Sequence, residues 1–301
     1  MKTLNIGDIS INKVLDGVER FPAVNAFPDI DIEIFNQHKS WMHSFYDFNS
    51  QMLILSMHSY LIQTPSLNIL IDTCIGNDKN RVGQGPIYKT NKGILSHWNN
   101  RSSNYLENLE AYELTLEDID IVMCTHMHAD HVGWNTRLVD DRWVPTFPNA
   151  KYLFSPLELD SLQKESPNPF DQYLRLVYDD SVLPIIQSGQ AEMIKESTDL
   201  GRNINLIKSP GHSPGHYCLE VNSKKGNAML TGDILHNPIQ VTCPSMSTMF
   251  CDDPKQSNQT RIKLVDELTD SNTIVLAAIL QTLQLGLLKA QKIPECSNLY
   301  D

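Results

Sequence analysis

Hydrophobic and polar residues along the chain form two groups of predicted strands with helices between them. Apolar and polar residues alternate over residues 5–16, as expected for a pair of half-buried strands. Short apolar runs bounded by turn residues predict further strands at residues 52–61, 67–71, 119–124, 204–208, 216–221, 228–230 and 273–278. This succession is typical of two packed sheets flanked by helices, so we predict an α/β fold in four layers.

Two helices have clear start signals. In Ser155-Pro156-Leu157-Glu158, serine stands at the N-cap, proline at the first helical position and glutamate at the third. Asp253-Pro254-Lys255-Gln256 follows the same logic and predicts a helix that ends near Leu268.

Residues 20–50 are rich in aromatic side chains, and we predict irregular structure there. The segment could be a surface loop held down by its aromatic rings, or it could cover a substrate site or contact a second subunit. The sequence leaves these alternatives open, and it is compatible with a homodimer. The aromatic residues are Phe21, Phe27, Phe35, Trp41, Phe45, Tyr46 and Phe48.

Length, charge and cysteine usage narrow the class of protein. A chain of 301 residues can bury a core without disulfides, and we predict one domain over residues 1–301. The formal net charge of −12 argues against a nucleic acid or an anionic membrane as partner. No signal peptide or membrane span is apparent, which predicts a cytoplasmic protein. The six cysteines contain no C-x-x-C pair and are expected to be reduced thiols, so we do not expect a cysteine-held zinc ion.

The residues with the strongest chemical signal directly follow the predicted strand that ends at Cys124. The segment Thr125-His126-Met127-His128-Ala129-Asp130-His131 contains four side chains that can bind a metal ion. Positions 126 and 128 face the same way in an extended chain, and Asp130 and His131 then reach a second point nearby. Imidazole and carboxylate groups suit zinc, and also manganese, iron or cobalt.

Two later segments add further ligands at strand ends. Ser209-Pro210-Gly211-His212-Ser213-Pro214-Gly215-His216 is a turn rich in glycine and proline, with His212 at its apex. Thr231-Gly232-Asp233 ends an apolar strand and presents a carboxylate at its tip. Together the segments supply six candidate metal ligands from three strand ends: His126, His128, Asp130, His131, His212 and Asp233.

In order and spacing these motifs, H-x-H-x-D-H, G-H-S-P-G-H and T-G-D, resemble those of the metallo-β-lactamase superfamily. The resemblance implies an αββα sandwich with the metal ions at one edge between the sheets. It assigns His126, His128 and His212 to a first metal ion and Asp130, His131 and Asp233 to a second, with Asp233 bridging. It also makes Asp72 a residue that supports the ligands from behind. The stretches around Trp134 and His236 are most similar to the lactonase and organophosphate-hydrolase-like branch.

One position departs from the pattern of this family. The superfamily usually provides one more histidine after the final strand, where this chain has Ile279. Isoleucine cannot bind a metal ion, and no histidine follows His236 in the sequence. The second ion could bind weakly, His236 or His216 could replace the missing ligand, or the chain could use one metal ion.

The implied reaction is hydrolysis by a metal-activated hydroxide, because a bound metal ion lowers the pKa of water from 15.7 to roughly 7. We expect a small-molecule substrate, with an ester or lactone first and an organophosphate second. Asp130 is the candidate for orienting the nucleophile, and His236 for contacting the substrate or donating a proton. Candidate pocket residues are Trp134, Met246 and Phe250. The alternative function is a degenerate family member that binds metal with weak or no turnover.

Overall fold

The computed structural model describes residues 3–81, 96–164, 169–195, 198, 200–201, 203–278 and 286–287. Within these residues the strands form one large sheet, one smaller sheet and a separate hairpin. The predicted α/β fold with two sheets is confirmed. Ile279 lies outside the described residues.

The larger sheet contains most of the N-terminal half of the chain. Its neighbours run in the order β1-β2-β4-β5-β6-β9-β10, with β3 added beside β4. The first pairings are antiparallel, whereas β5, β6, β9 and β10 pair in parallel. The strands are β1 (Leu4–Ile6), β2 (Ile9–Pro22), β3 (Tyr46–Asp47), β4 (Met52–Gln63), β5 (Asn68–Ile71), β6 (Ile121–Met123), β9 (Lys151–Phe154) and β10 (Ala191–Met193). Between β6 and β9, β7 (Thr136–Val139) and β8 (Arg142–Pro145) form the separate hairpin.

The smaller sheet is built from the C-terminal part of the chain. Its order is sequential, from β11 to β15, and only β13 and β14 pair in parallel. The strands are β11 (Ile204–Lys208), β12 (Tyr217–Ser223), β13 (Gly226–Leu230), β14 (Thr273–Leu276) and β15 (Gly286–Leu287).

Most helices are short, and α10 is the longest in the described part of the chain. It begins at Pro254 and ends at Leu268 as predicted, and its start is fixed by the Asp253 carboxylate, which accepts the backbone N–H of Gln256 at 2.9 Å. The helices are α1 (Ala23–Ala26), α2 (Glu33–Gln37), α3 (Lys39–Met42), α4 (Tyr105–Glu110), α5 (Ala129–Val132), α6 (Pro156–Leu162), α7 (Pro169–Val177), α8 (Leu183–Gln187), α9 (Ile239–Thr242) and α10 (Pro254–Leu268). None of the described helices is long and apolar enough to cross a membrane.

Two apolar clusters explain the layered packing. The smaller cluster joins inward-facing residues of both sheets, for example Ile62 and Met123 with Leu219 and Leu230. The larger cluster covers the opposite faces of the strands, where Leu264 of α10 packs with Val275 and other buried residues. Burial of such side chains is the main favourable contribution to folding, at about 25 cal/mol per Å² of apolar surface.

The prediction of irregular structure over residues 20–50 was wrong in part. This segment contains the end of β2, helices α1 to α3 and strand β3. Helices of four or five residues complete too few turns to show a helical period in the sequence. Most of the aromatic rings enter the core, and Phe35 stacks on Tyr46 with ring centroids 4.3 Å apart, whereas Trp41 is exposed.

The prediction that all cysteines are reduced was also wrong, because Cys243 is disulfide-bonded. Four other cysteines are free and buried, namely Cys74, Cys124, Cys218 and Cys251. The absence of a C-x-x-C pair therefore did not exclude a disulfide.

Candidate metal centre

Three loops at strand ends bring the predicted metal ligands together. The first loop follows β6 and carries His126, His128 and His131, the last within α5. The second loop connects β11 to β12 and carries His212, and the third follows β13 and carries Asp233. The first loop meets residues more than 80 positions later in the chain: His126 and His128 contact His212, and His131 contacts Asp233.

The ligand atoms form three overlapping clusters, in each of which the atoms lie within 4.8 Å of one another. His212 Nε2 lies 3.0 Å from His126 Nε2 and 2.9 Å from His128 Nδ1. The Asp130 carboxylate lies 3.6 Å from His131 Nε2, but Asp130 belongs to none of the three clusters found among the described residues. The clusters are His126, His128 and His212; His126, His131 and Asp233; and His212, Asp233 and His236.

Asp233 occupies the centre of this arrangement. Its Oδ2 atom lies 3.4 Å from His131 Nε2, 3.5 Å from His236 Nε2 and 3.6 Å from His212 Nε2. Ligand atoms about 2.0–2.1 Å from a tetrahedral zinc ion are roughly 3.4 Å apart, so these separations are those of a metal coordination shell. Asp233 Oδ1 and His236 Nε2 are buried without a hydrogen-bond partner. The donor set therefore fits one or two divalent metal ions of the kind that bind imidazole and carboxylate.

Burial and charge set the protonation of the cluster. Burial lowers the pKa of His126 and of His212 well below the usual range, which favours the neutral imidazole that binds metal. Burial also opposes the charge on His131, but the carboxylates of Asp233, Asp72 and Asp130 together raise its pKa well above the usual range. Burial alone would raise the pKa of Asp233. The surrounding histidines outweigh that effect, so the pKa of Asp233 lies well below its usual range.

Asp72 supports the first ligand loop from behind. It lies at the end of β5, and its carboxylate accepts the backbone N–H of Thr125 at 2.7 Å. The same carboxylate lies 3.0 Å from His131 Nδ1, which leaves His131 Nε2 directed at Asp130 and Asp233. Carboxylate partners of this kind fix the orientation of a metal-binding imidazole.

Gly133 allows the loops of Asp72 and His131 to touch. Its N–H donates to the carbonyl of Cys74 at 2.8 Å, and an added Cβ would lie 1.9 Å from the carbonyl oxygen of Ile75. Only glycine fits at such a close backbone approach.

His216 lies close to the candidate ligands, but its ring nitrogens form hydrogen bonds with other groups. Its Nδ1 pairs with Ser209 Oγ at 2.7 Å, and its Nε2 accepts the backbone N–H of Asp233 at 3.1 Å. Both ring nitrogens are engaged, so His216 holds the Asp233 backbone and has no nitrogen left for a metal ion.

Glu158 connects two of the ligand loops, a role that the sequence motif did not reveal. Its buried carboxylate accepts the backbone N–H of Met127 at 3.0 Å and that of Gly215 at 2.6 Å. Helix α6 begins at Pro156 as predicted, but neither Ser155 nor Glu158 caps it with a side-chain hydrogen bond. Instead Glu158 joins the loop of His126 and His128 to the loop of His212.

Replacing Glu158 with glutamine is expected to weaken metal binding about 10–100-fold, as loss of groups that orient metal ligands typically does. The amide keeps one acceptor oxygen and directs N–H groups at a backbone donor, so at most one of the two loops stays attached. Affinity can be measured by zinc competition against a chelator, with Asp160→Asn on the exposed side of the same helix as control. Unchanged zinc affinity in a destabilised Glu158→Gln protein would assign Glu158 a purely structural role.

A cavity of about 770 Å³, counting its open mouth, lies beside the candidate metal ligands. His128, Asp130, His212, Asp233 and His236 form its polar floor. Its wall is apolar, and Phe250 packs edge-on against Phe21 with ring centroids 5.2 Å apart. The apolar wall residues are Phe21, Leu55, Met57, Trp98, Leu174 and Phe250, and Glu19, Arg20 and His97 add polar groups.

Of the predicted pocket residues, Phe250 lines this cavity, whereas Trp134 and Met246 do not. Trp134 is buried in the core, where its Nε1–H donates to Asp16 at 3.1 Å and its ring stacks on Tyr105. Met246 packs against the core from a partly buried position. Proximity in sequence to a ligand loop therefore did not indicate which side chains face the cavity. Phe21 comes from the aromatic segment, but the sequence does not mark it as a wall residue.

Comparison with known proteins agrees with this architecture. The family model described as the metallo-β-lactamase superfamily matches residues 55–278. The chain therefore belongs to the metallo-β-lactamase superfamily.

The similar proteins include several lactonases. The N-acyl homoserine lactonase of a Bacillus species is 22% identical over 186 residues, which cover 61% of this chain and 65% of that protein. The N-acyl homoserine lactonase of Bacillus cereus is 23% identical over 181 residues, covering 60% of this chain and 63% of that protein. The match thus spans a little less than two thirds of the length of these curated relatives.

Solved structures extend the similarity over nearly the whole chain. The hydrolase AbOPH of the β-lactamase superfamily superimposes with a TM-score of 0.76 at 23% identity, covering 97% of this chain and 94% of that one. AidC, described as a dizinc quorum-quenching lactonase, gives a TM-score of 0.76 at 19% identity, covering 96% and 94% of the two chains. At these identities the comparison establishes a shared fold.

Proposed function

We propose that this protein is a metal-dependent hydrolase acting on an ester or lactone. The observation that carries the proposal is that part of the histidine and aspartate clusters lines a largely apolar cavity, namely His128, His212, Asp233 and His236. Similarity to N-acyl homoserine lactonases supports the lactone within this class.

Zinc is the proposed metal, with manganese, iron and cobalt compatible with the same ligands. His126, His128 and His212 would hold one ion, and Asp130, His131 and Asp233 a second, with Asp233 shared. A bound divalent ion would lower the pKa of water and polarise the substrate carbonyl. The chain's own residues would orient the reactants: Asp130 would direct the attacking water, and His236 would contact the substrate from the cavity floor.

The cavity wall favours a substrate with an apolar part. Phe21, Leu55, Met57 and Phe250 offer apolar surface beside the floor, while the reacting carbonyl would lie over the histidines. Each methylene fully buried there contributes about 0.8 kcal/mol, which is roughly a fourfold gain in binding. A small molecule with an acyl chain fits this division of polar and apolar surface.

The test is a hydrolysis assay on metal-loaded protein with N-acyl homoserine lactones of increasing chain length. We expect turnover that is abolished by a chelator and restored by zinc or manganese, with kcat/KM rising as the acyl chain lengthens. Aryl esters and an organophosphate triester serve as comparison substrates. Metal-dependent turnover of the triester alone would replace the lactone proposal, and no turnover of any of them would contradict it.

The second candidate is a degenerate member that binds metal without turnover, and Ile279 is the observation that favours it. Metal content of the unmodified protein and of Ile279→His, both purified without chelator, separates the candidates. About one metal ion per chain in the unmodified protein and two in Ile279→His would indicate that the second site of the unmodified protein does not hold its ion. A homodimer and a cytoplasmic location stay predictions from the sequence.

A further inference from the structure

The family pattern gives the second half of the metal centre one histidine that this sequence lacks, whereas His236, which lies beside Asp233 in the structure, is not among the ligands of that pattern. The resemblance places a histidine at position 279, where the chain has isoleucine. The described ligands on that side are Asp130, His131 and Asp233. A further imidazole would restore the count of protein ligands without a change of fold. A metal-binding role for His236 rests on the proposed function and takes the place of the substrate contact proposed there.

His236 has the position and the free nitrogen for this role. Its side chain is 1% exposed, lines the cavity floor and forms a cluster with His212 and Asp233. Its Nε2 lies 3.5 Å from Asp233 Oδ2 and has no hydrogen-bond partner. This separation matches that between Asp233 and His131, a ligand assigned by the family pattern, at 3.4 Å. A buried imidazole nitrogen without a partner is costly unless something binds it.

The backbone around His236 is held firmly enough to keep the ring in place. The N–H groups of His236 and Asn237 both donate to Gln240 Oε1, at 2.8 and 3.2 Å. The buried guanidinium of Arg261 donates through Nε to the carbonyl of Ile234 at 2.8 Å. His236 Nδ1 lies 3.5 Å from Thr248 Oγ1, which leaves Nε2 as the nitrogen that faces Asp233. The ring is thus fixed by the fold before any ligand binds.

Two other buried histidines near the centre do not meet the same conditions. His216 uses both ring nitrogens, on Ser209 and on the backbone of Asp233. His58 in β4 pairs its Nδ1 with the carbonyl of Ser56 at 2.7 Å, and its Nε2 has no hydrogen-bond partner. However, His58 belongs to none of the metal-capable clusters in the described part of the chain. It is therefore the matched control for a buried histidine with one free nitrogen.

We propose that His236 is a metal ligand that would bind through Nε2 on the His212 side of Asp233, and that it makes up the number of histidines in the centre without taking the place of position 279. Asp233 then lies between His131, His212 and His236, and its carboxylate is shared by the metal centre. The proposal predicts that the unmodified chain retains a multi-metal centre despite Ile279.

The test compares metal binding in the unmodified protein, His236→Ala, His236→Gln and His58→Ala. Zinc per chain is measured by elemental analysis after dialysis at fixed free zinc, and the cobalt-substituted proteins are compared by their visible absorption, which reports the ligand shell. We expect His236→Ala to weaken the binding of one ion at least about tenfold and to change the cobalt spectrum, since even groups behind the ligands have effects of that size. Free imidazole should restore the spectrum in His236→Ala, and His58→Ala should behave like the unmodified protein. Circular dichroism confirms folding, and the glutamine variant provides a polar side chain of similar length if alanine does not fold.

The outcomes separate this inference from the proposed function. If the unmodified protein binds metal and both His236 variants keep its stoichiometry, affinity and spectrum, His236 is not a ligand and the hydrolase proposal stands. Loss of metal in His58→Ala but not in His236→Ala would overturn the inference in favour of His58. If the unmodified protein binds no metal, the proposed function itself fails.

Discussion

Replacing Asp233 with asparagine should remove both the metal ions and the activity. The carboxylate oxygen lies 3.4–3.6 Å from three imidazole nitrogens, so it lies close to candidate ligands of both halves of the centre. A neutral amide cannot balance the charge of two divalent ions. Metal-ion stabilisation of a transition state is worth several kcal/mol, and we expect kcat/KM to fall on the order of 1000-fold. The measurements are zinc per chain and the rate on the best substrate found.

The control for this prediction is Asp160→Asn, which removes the same charge from an exposed position on α6. It should keep the metal content and the rate of the unmodified protein. If Asp233→Asn also kept both, Asp233 would not be a shared ligand and the assignment of the centre would be wrong.

The largest effect on stability is expected from Arg261→Ala. The guanidinium is fully buried and donates to the carbonyls of Ile234, Pro244 and Met246, which belong to the segment after Asp233. It also donates to Asn258 and Ser257 on its own helix, α10. Hydrogen bonds from a charged donor are worth about 1.5–3 kcal/mol each, and a buried carbonyl left without a donor costs about 1–3 kcal/mol. We expect the free energy of unfolding to fall by about 3 kcal/mol or more in urea denaturation.

Lys263→Ala, on the same helix, is the control for Arg261. Lys263 is highly exposed and lies 3.8 Å from Glu267, so its removal should change the unfolding free energy by about 0.5 kcal/mol or less. An Arg261→Ala protein as stable as Lys263→Ala would show that solvent or other donors satisfy the carbonyls. The Arg261 variant should also bind zinc more weakly, because the same segment carries Asp233 and His236.

Local sequence patterns were sufficient for the fold class and for naming most of the side chains that the structure brings together as candidate metal ligands. Alternating and continuous apolar runs predicted β4, β5 and β11 closely. A strand is short, and the burial of its residues shows directly in the order of apolar and polar residues along it. The cluster His126 to His131 occupies one loop, so its spacing is visible without any tertiary information. Helix α10 followed from its cap, because the interaction of Asp253 with Gln256 is also local.

The tertiary structure decided everything that depends on contacts between distant segments. The sequence could not predict which side chains face the cavity. Trp134 follows a candidate ligand loop but stacks on Tyr105 in the core. Phe21 lines the cavity although it lies more than 200 residues before its partner Phe250. The sequence predicts that Glu158 caps a helix. In the structure its carboxylate accepts backbone N–H groups from two candidate ligand loops. His236 and His216 are equally plausible ligands in the sequence, and only their hydrogen bonds distinguish them. The physical reason is that strand and helix patterns reflect local burial, while the partner of each polar atom depends on how the elements pack.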